Sequence, residues 1–211
     1  MSNTATQSIT YPMSDIDTPD SHSDDAIDVA LMMRVKTGDH AAFQELIERH
    51  QNMIIGTVAK MLGNASDAQD IAQQVFIRLW KAAPRYKRKA KFTTFLFTIT
   101  RNLVFNESKK RSRRKTYSLE ERQENNYGQI AAEASRSPDA EALQTELQAV
   151  VDEAINALPE KQRMAVILRR YENMPYEEIA DVLDTSVSAI KSHIFRARTE
   201  LRESLSHYLE K

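Results

Sequence analysis

The sequence predicts an all-α protein: two helical domains joined by a flexible linker, the C-terminal one containing a helix-turn-helix. Three observations point there. Four glycines and six prolines in 211 residues leave few turn signals, which favours long helices with few breaks. Apolar residues recur at spacings of three and four along most of the chain, the period of one helix face. Between residues 116 and 140 that pattern lapses into a polar, acidic stretch with Gly128 and the pair Ser137-Pro138. Such a stretch is longer than a connection within a compact domain normally is.

The elements follow in order. Residues 1–25, rich in Ser, Thr and Asp, read as a disordered acidic tail. Ile27, Leu31 and Val35 then share a helix face that ends near Gly38. Phe43, Leu46, Ile47 and His50 begin the next helix, which runs through Ile54, Val58 and Leu62 until Gly63 stops it. Ser66 with Gln69 forms a capping box, and Asp67 suits the positive end of the helix dipole. That helix carries Ile71, Val75, Phe76, Leu79 and Trp80 and ends before Pro84.

FTTFLFTITRNLVF, residues 92–105, is β-branched enough to suggest a strand. Phe92, Phe95, Leu96, Ile99 and Leu103 nevertheless keep the helical spacing, and the period decides for helix. After a linker at 116–142, Leu143, Leu147, Val150, Val151 and Ile155 resume the pattern. Pro159 and Pro175 suit first helical positions of the two helices that follow.

Net charge is −1, yet the charges are segregated. Residues 1–28 hold six Asp and no Lys or Arg, whereas residues 85–115 hold twelve Lys and Arg against Glu107 alone. A block this basic points to a polyanion partner. There is no cysteine, so disulfides, thiolate metal sites and thiol catalysis are excluded. The five histidines form no metal-spaced pair and no phosphate-binding loop exists, so neither an enzyme nor a cofactor is expected. No apolar run approaches the ~18 residues of a membrane span, and no secretory leader is evident. A cytoplasmic protein without membrane contact is expected.

Two features carry nucleic-acid chemistry. PYEEIADVL and VSAIKSHIFRARTELRESL, separated by Asp184, Thr185 and Ser186, form a candidate helix-turn-helix. Asp184 can adopt the left-handed turn and Ser186 can cap the second helix. With Val187, Ile190, Ile194, Ala197 and Leu201 turned inward, Ser188, Lys191, Ser192, Phe195 and Arg196 face outward. Cations meet phosphates or guanine edges, and an aromatic can touch a thymine methyl. An ordinary solvated helix face would show some of the same pattern.

The second feature lies upstream. The loop cations Lys87, Arg88, Lys89 and Lys91 and the run Lys109, Lys110, Arg111, Arg113 and Arg114 bracket one helix, with Arg101 and Asn102 between them. A helix C-terminus attracts some cations, but six in the seven residues 109–115, Lys115 included, exceed what its dipole needs. Nucleic acid is the better reading.

NASDAQDIAQQVFIRLWKAAPRY followed by FTTFLFTITRNLVFNESKKRSRRK resembles region 2 of bacterial extracytoplasmic-function sigma factors. LPEKQRMAVILRRYENMPYEEIADVLDTSVSAIKSHIFRARTEL resembles region 4 of the same family. The resemblance implies a region 2 domain over 26–115 and a region 4 domain over 143–211. It implies docking on core RNA polymerase through Asp70, Gln73, Gln74, Arg78 and Trp80, and major-groove reading of a −35 element by the second helix of the helix-turn-helix. It also implies melting of the −10 element, with a flipped base held below loop 85–94 and a polar contact from Asn102. Family habit adds an anti-sigma factor as a further partner. Phe95 stands where relatives often have Trp, Asp184 where they have Gly, His193 where they have Arg and Asn106 where they have Asp, so promoter preference does not carry over. A free-standing helix-turn-helix regulator is the alternative, and it leaves the upstream basic helix unused.

Overall fold

The computed structural model describes residues 20–64, 66–121 and 139–209. Among them every regular element is helical: α1 (Asp20–Val35), α2 (His40–Leu62), α3 (Ser66–Ala82), α4 (Phe92–Glu121), α5 (Asp139–Ala157), α6 (Glu160–Arg170), α7 (Tyr176–Leu183) and α8 (Val187–Leu209), with a 3-10 turn at Ala83–Arg85. Most of the linker expected at 116–142 lies outside the described residues, as does most of the tail.

α1 begins inside the expected tail, and Asp24 and Asp25 belong to it. It buries Leu31, Met32 and Val35 together with Asp28, while Ile27 is exposed. The predicted stripe is thus turned by one position, and the reason is a set of partners for the carboxylate. Arg49 Nε donates to Asp28 Oδ1 at 2.7 Å, and His50 Nε2 lies 2.9 Å from Oδ2. Ion pairing removes the penalty that would otherwise keep an aspartate in water.

α2 opens at Asp39, which accepts from the Ala42 N–H at 3.0 Å. That bond and the Arg34 guanidinium hold the Asp39 carboxyl below its ordinary range. The helix closes on Gly63 at φ 63°, where only glycine is comfortable. A Cβ at Gly63 would also come within 3.0 Å of the Asn156 side chain from α5. The start of α3 differs from the expected Ser66–Gln69 box: Ser66 gives its N–H and its hydroxyl to Asn64 Oδ1, at 2.9 and 2.8 Å.

The strand-like segment is helical, and its threonines show how. Thr98 and Thr100 donate their hydroxyls to the carbonyls of Thr94 and Leu96, at 2.8 and 3.0 Å. A buried β-branched polar residue is thereby satisfied within its own helix. Phe92, Leu96, Phe97, Leu103 and Val104 fill the core of this half. The helix continues past the basic run, so those cations lie within α4 and not at its end.

In the second half, Pro159 and Pro175 each stand at the N-cap, one position before the helix each was expected to begin. The two halves pack together: α7 lies on α4, while α5 and α6 lie on α2. Their buried side chains form one continuous cluster. Arg163 ties them, donating to Met61 O at 2.7 Å and Leu158 O at 2.9 Å and also to Asn156 O. These carbonyls end α2 and α5, where the dipoles favour a cation. Burial lowers the pKa of Arg163 from its ordinary value.

Candidate nucleic-acid interface

The helix-turn-helix forms as the residues dictate. Asp184 adopts the left-handed conformation (φ 51°, ψ 59°), and its N–H bonds back to the end of α7. Ser186 Oγ then accepts from the Ala189 N–H at 3.2 Å and starts α8. Ile190, Ile194 and Ala197 are buried against α6 and α7, leaving Ser188, Lys191, Ser192, Phe195 and Arg196 exposed. Phe195 is 72% exposed, far more than a structural phenylalanine would be. His193, between Ser192 and Ile194, is half-buried, and burial lowers its pKa, helped by Lys161 and Arg196.

Sequence reasoning missed two cations on this surface. Arg198 and Arg202 are exposed at helical spacing from Lys191 and Phe195, so they prolong the same face. The three- and four-residue spacing alone could have found them.

On α4, Asn102, Asn106, Lys109 and Arg113 are exposed and follow one another at four, three and four. Continued backward by four and three, that line reaches Thr98, Phe95 and Lys91. One helix face therefore runs from the loop to the basic block, about 33 Å at 1.5 Å per residue. Lys110 is exposed and lies 3.8 Å from Glu107. Arg101 is half-buried, its Nε enclosed among the described atoms without a hydrogen-bond partner. The side chain of Arg114 lies outside the described residues.

Arg111 behaves differently from its neighbours. Its guanidinium pairs with Asp67, stands 3.5 Å from Glu107 and reaches Leu62 O at 3.4 Å. It fastens α4 to the α2–α3 corner, a role inside the protein that the charge run conceals.

The loop cations divide in the same way. Lys87 and Lys89 are exposed. Arg88 lies 3.4 Å from Asp25, and Lys91 pairs with Glu178 of α7 at 2.8 Å.

α3 presents a third face. Its stripe of Ala68, Ile71, Ala72, Val75, Phe76 and Leu79 is buried, and Asp70, Gln73, Gln74 and Arg78 point outward. Ile77 stands among them, 52% exposed, and its place off the 71–75–79 spacing could have shown it facing outward. Trp80 is turned toward α2 instead: its ring stacks on His40 with centroids 4.7 Å apart and tilts against Phe43 at 4.9 Å.

Fold and surface together define an all-helical DNA-binding protein with two separate basic faces and a third, mixed polar and apolar face. Comparison with known proteins gives the family. The family descriptions "Sigma-70 region 2" and "Sigma-70, region 4" match residues 46–114 and 148–201. RNA polymerase sigma-H factor of Pseudomonas aeruginosa is 34% identical over 184 residues, covering 86% of this chain and 95% of the relative. ECF RNA polymerase sigma-E factor of Escherichia coli is 33% identical over 178 residues, covering 83% and 93%.

Among solved structures, CnrH in complex with the cytosolic domain of CnrY has a TM-score of 0.61 at 25% identity, covering 86% of this chain and 98% of that one. The sigma factor RpoE in complex with the anti-sigma factor NepR from Bartonella quintana shares the fold, with a TM-score of 0.60 at 22% identity over 78% and 96%. The chain belongs to the extracytoplasmic-function sigma factors, alternative subunits that direct transcription initiation and are not enzymes.

Proposed function

We propose that the three faces divide the work of initiation. The α3 face, with Asp70, Gln73, Gln74, Ile77 and Arg78, docks on core RNA polymerase, and Trp80 supports it by bracing α3 on α2. The start of α8 enters the major groove of the −35 element, with Ser188, Lys191, Ser192, Phe195 and Arg196 at the bases and phosphates. Loop 85–91 and the outer face of α4 take the −10 strand, Asn102 contacting a base and Lys109, Lys110 and Arg113 holding phosphates. This action belongs in the cytoplasm, where polymerase and promoter meet. An anti-sigma partner would have to cover one or more of these faces.

The observation that carries the reading is Phe195, 72% exposed between Lys191 and Arg196 on a firmly capped second helix. An aromatic ring set between two cations at the start of the second helix suits a groove, where the ring meets a thymine methyl and the cations meet phosphates or guanine edges. Alanine at both Lys191 and Arg196 tests it. Initiation that depends on the −35 element should fall while affinity for core polymerase stays unchanged. Loss of core binding would overturn the assignment of α8.

A further inference from the structure

Loop 85–91 is held in place from a distant helix. Asp25, in α1, accepts the N–H of Phe92, the first residue of α4, on Oδ1 at 2.8 Å. Its other oxygen stands 3.4 Å from Arg88 Nη2. The carboxylate is nearly buried, whereas the guanidinium it restrains is mostly in solvent.

The local sequence explains why an outside cap is needed. Ala90 and Lys91 precede the helix, and neither side chain can accept a hydrogen bond. The free N–H groups at the start of a helix require acceptors, and the dipole there favours an anion. Asp25 supplies both from another element.

A second tie fixes the other end of the loop. Lys36 Nζ, just beyond α1, donates to Tyr86 O at 3.1 Å. The Tyr86 ring is buried, with its centroid 5.2 Å from that of Phe95. Lys87 and Lys89 therefore stand exposed between two anchors that both come from α1 and the turn after it. α1 lies before the residues 46–114 matched by the region 2 description.

We propose that Asp25 is a positioning residue for −10 recognition: by capping α4 and restraining Arg88 it sets the path of loop 85–91, and with it the discrimination among −10 sequences. This rests on the reading of loop 85–91 given above.

The test reconstitutes the full chain with core polymerase and measures initiation on two promoter sets, one varied in the −10 element and one in the −35 element. Asp25→Ala should narrow the spread of rates across the −10 set several-fold and leave the spread across the −35 set unchanged. Asp25→Asn, whose amide oxygen can still cap α4, should recover most of the −10 discrimination. A uniform fall on every promoter, in step with a lower melting temperature, would reduce Asp25 to a structural residue and overturn the proposal. Lys87→Ala and Lys89→Ala separate the two possible failures. If they leave the −10 set untouched, the loop reading itself falls; if they alter it while Asp25→Ala does not, only the role of Asp25 falls.

Discussion

Lys91 Nζ and Glu178 Oε1 stand 2.8 Å apart, the first just before α4 and the second in α7, the opening helix of the helix-turn-helix. Thr94 adds a 3.4 Å hydrogen bond to Glu178 Oε2 and is buried beneath it. Region 4 thus covers the first turn of the α4 face that region 2 would offer to DNA.

Promoter DNA and α7 should therefore compete for that turn. Glu178→Gln weakens the clasp but leaves a side chain that still hydrogen-bonds, and an ion pair that keeps some contact with solvent is worth about 1 kcal/mol, so the shift is about fivefold. Two measurements check it together. The variant should bind a single-stranded −10 oligonucleotide more tightly, and X-ray scattering should show a larger radius of gyration. Tighter binding without expansion would assign the effect to charge alone.

Glu172 predicts a pH dependence. It sits against α2, where Thr57 Oγ1 donates to its Oε1 at 2.9 Å. Burial raises its pKa from the ordinary 4.5, although Thr57 and Lys60 pull it back. A carboxyl whose pKa is higher in the packed protein binds its proton more tightly there. Its contribution is full below 4.5 and is lost as pH rises through the raised value. Melting temperatures measured across that window should fall with rising pH from this group, and Glu172→Gln should flatten the curve. An identical slope in the variant would show that the carboxyl does not titrate there.

Arg111 and its neighbours should separate cleanly. Arg111→Ala removes the tie to Asp67, Glu107 and Leu62 O and should cost about 1 kcal/mol, or roughly 3 °C in melting temperature. Lys109→Ala or Arg113→Ala should leave stability unchanged. Each should instead lower DNA affinity and reduce the salt slope by about 0.7–0.9, because one phosphate fewer is neutralised. Calorimetry and salt titrations of binding distinguish the two outcomes.

Phe195→Ala should be neutral for stability, within about 0.5 kcal/mol, because the ring covers no core. Initiation should fall most at promoters with a thymine opposite the ring, by about 1 kcal/mol of discrimination, the worth of one buried methyl. A loss of stability instead would place Phe195 in packing, and its exposure would then have no bearing on DNA.

The residues that were legible in advance share a local cause. The Asp184 turn, the Ser186 cap and the Gly63 stop are each dictated by a residue and its immediate neighbours. The helix over 92–105 was readable because its period outweighed its β-branched content. What escaped has a partner far away in the chain. Asp28 is buried only because Arg49 and His50 meet it, and Arg111 is structural only because Asp67 lies beside it. Asp25 looked like tail because the N–H it caps belongs to Phe92, 67 positions on.

Run-off transcription by purified core polymerase on a panel of promoters, with and without the full chain, tests the central claim most directly. Addition of the chain should confer initiation at a subset of promoters, and alanine at Lys191 and Arg196 should abolish the −35-dependent part. A chain that binds duplex DNA tightly by itself yet never confers initiation on core polymerase would contradict the account.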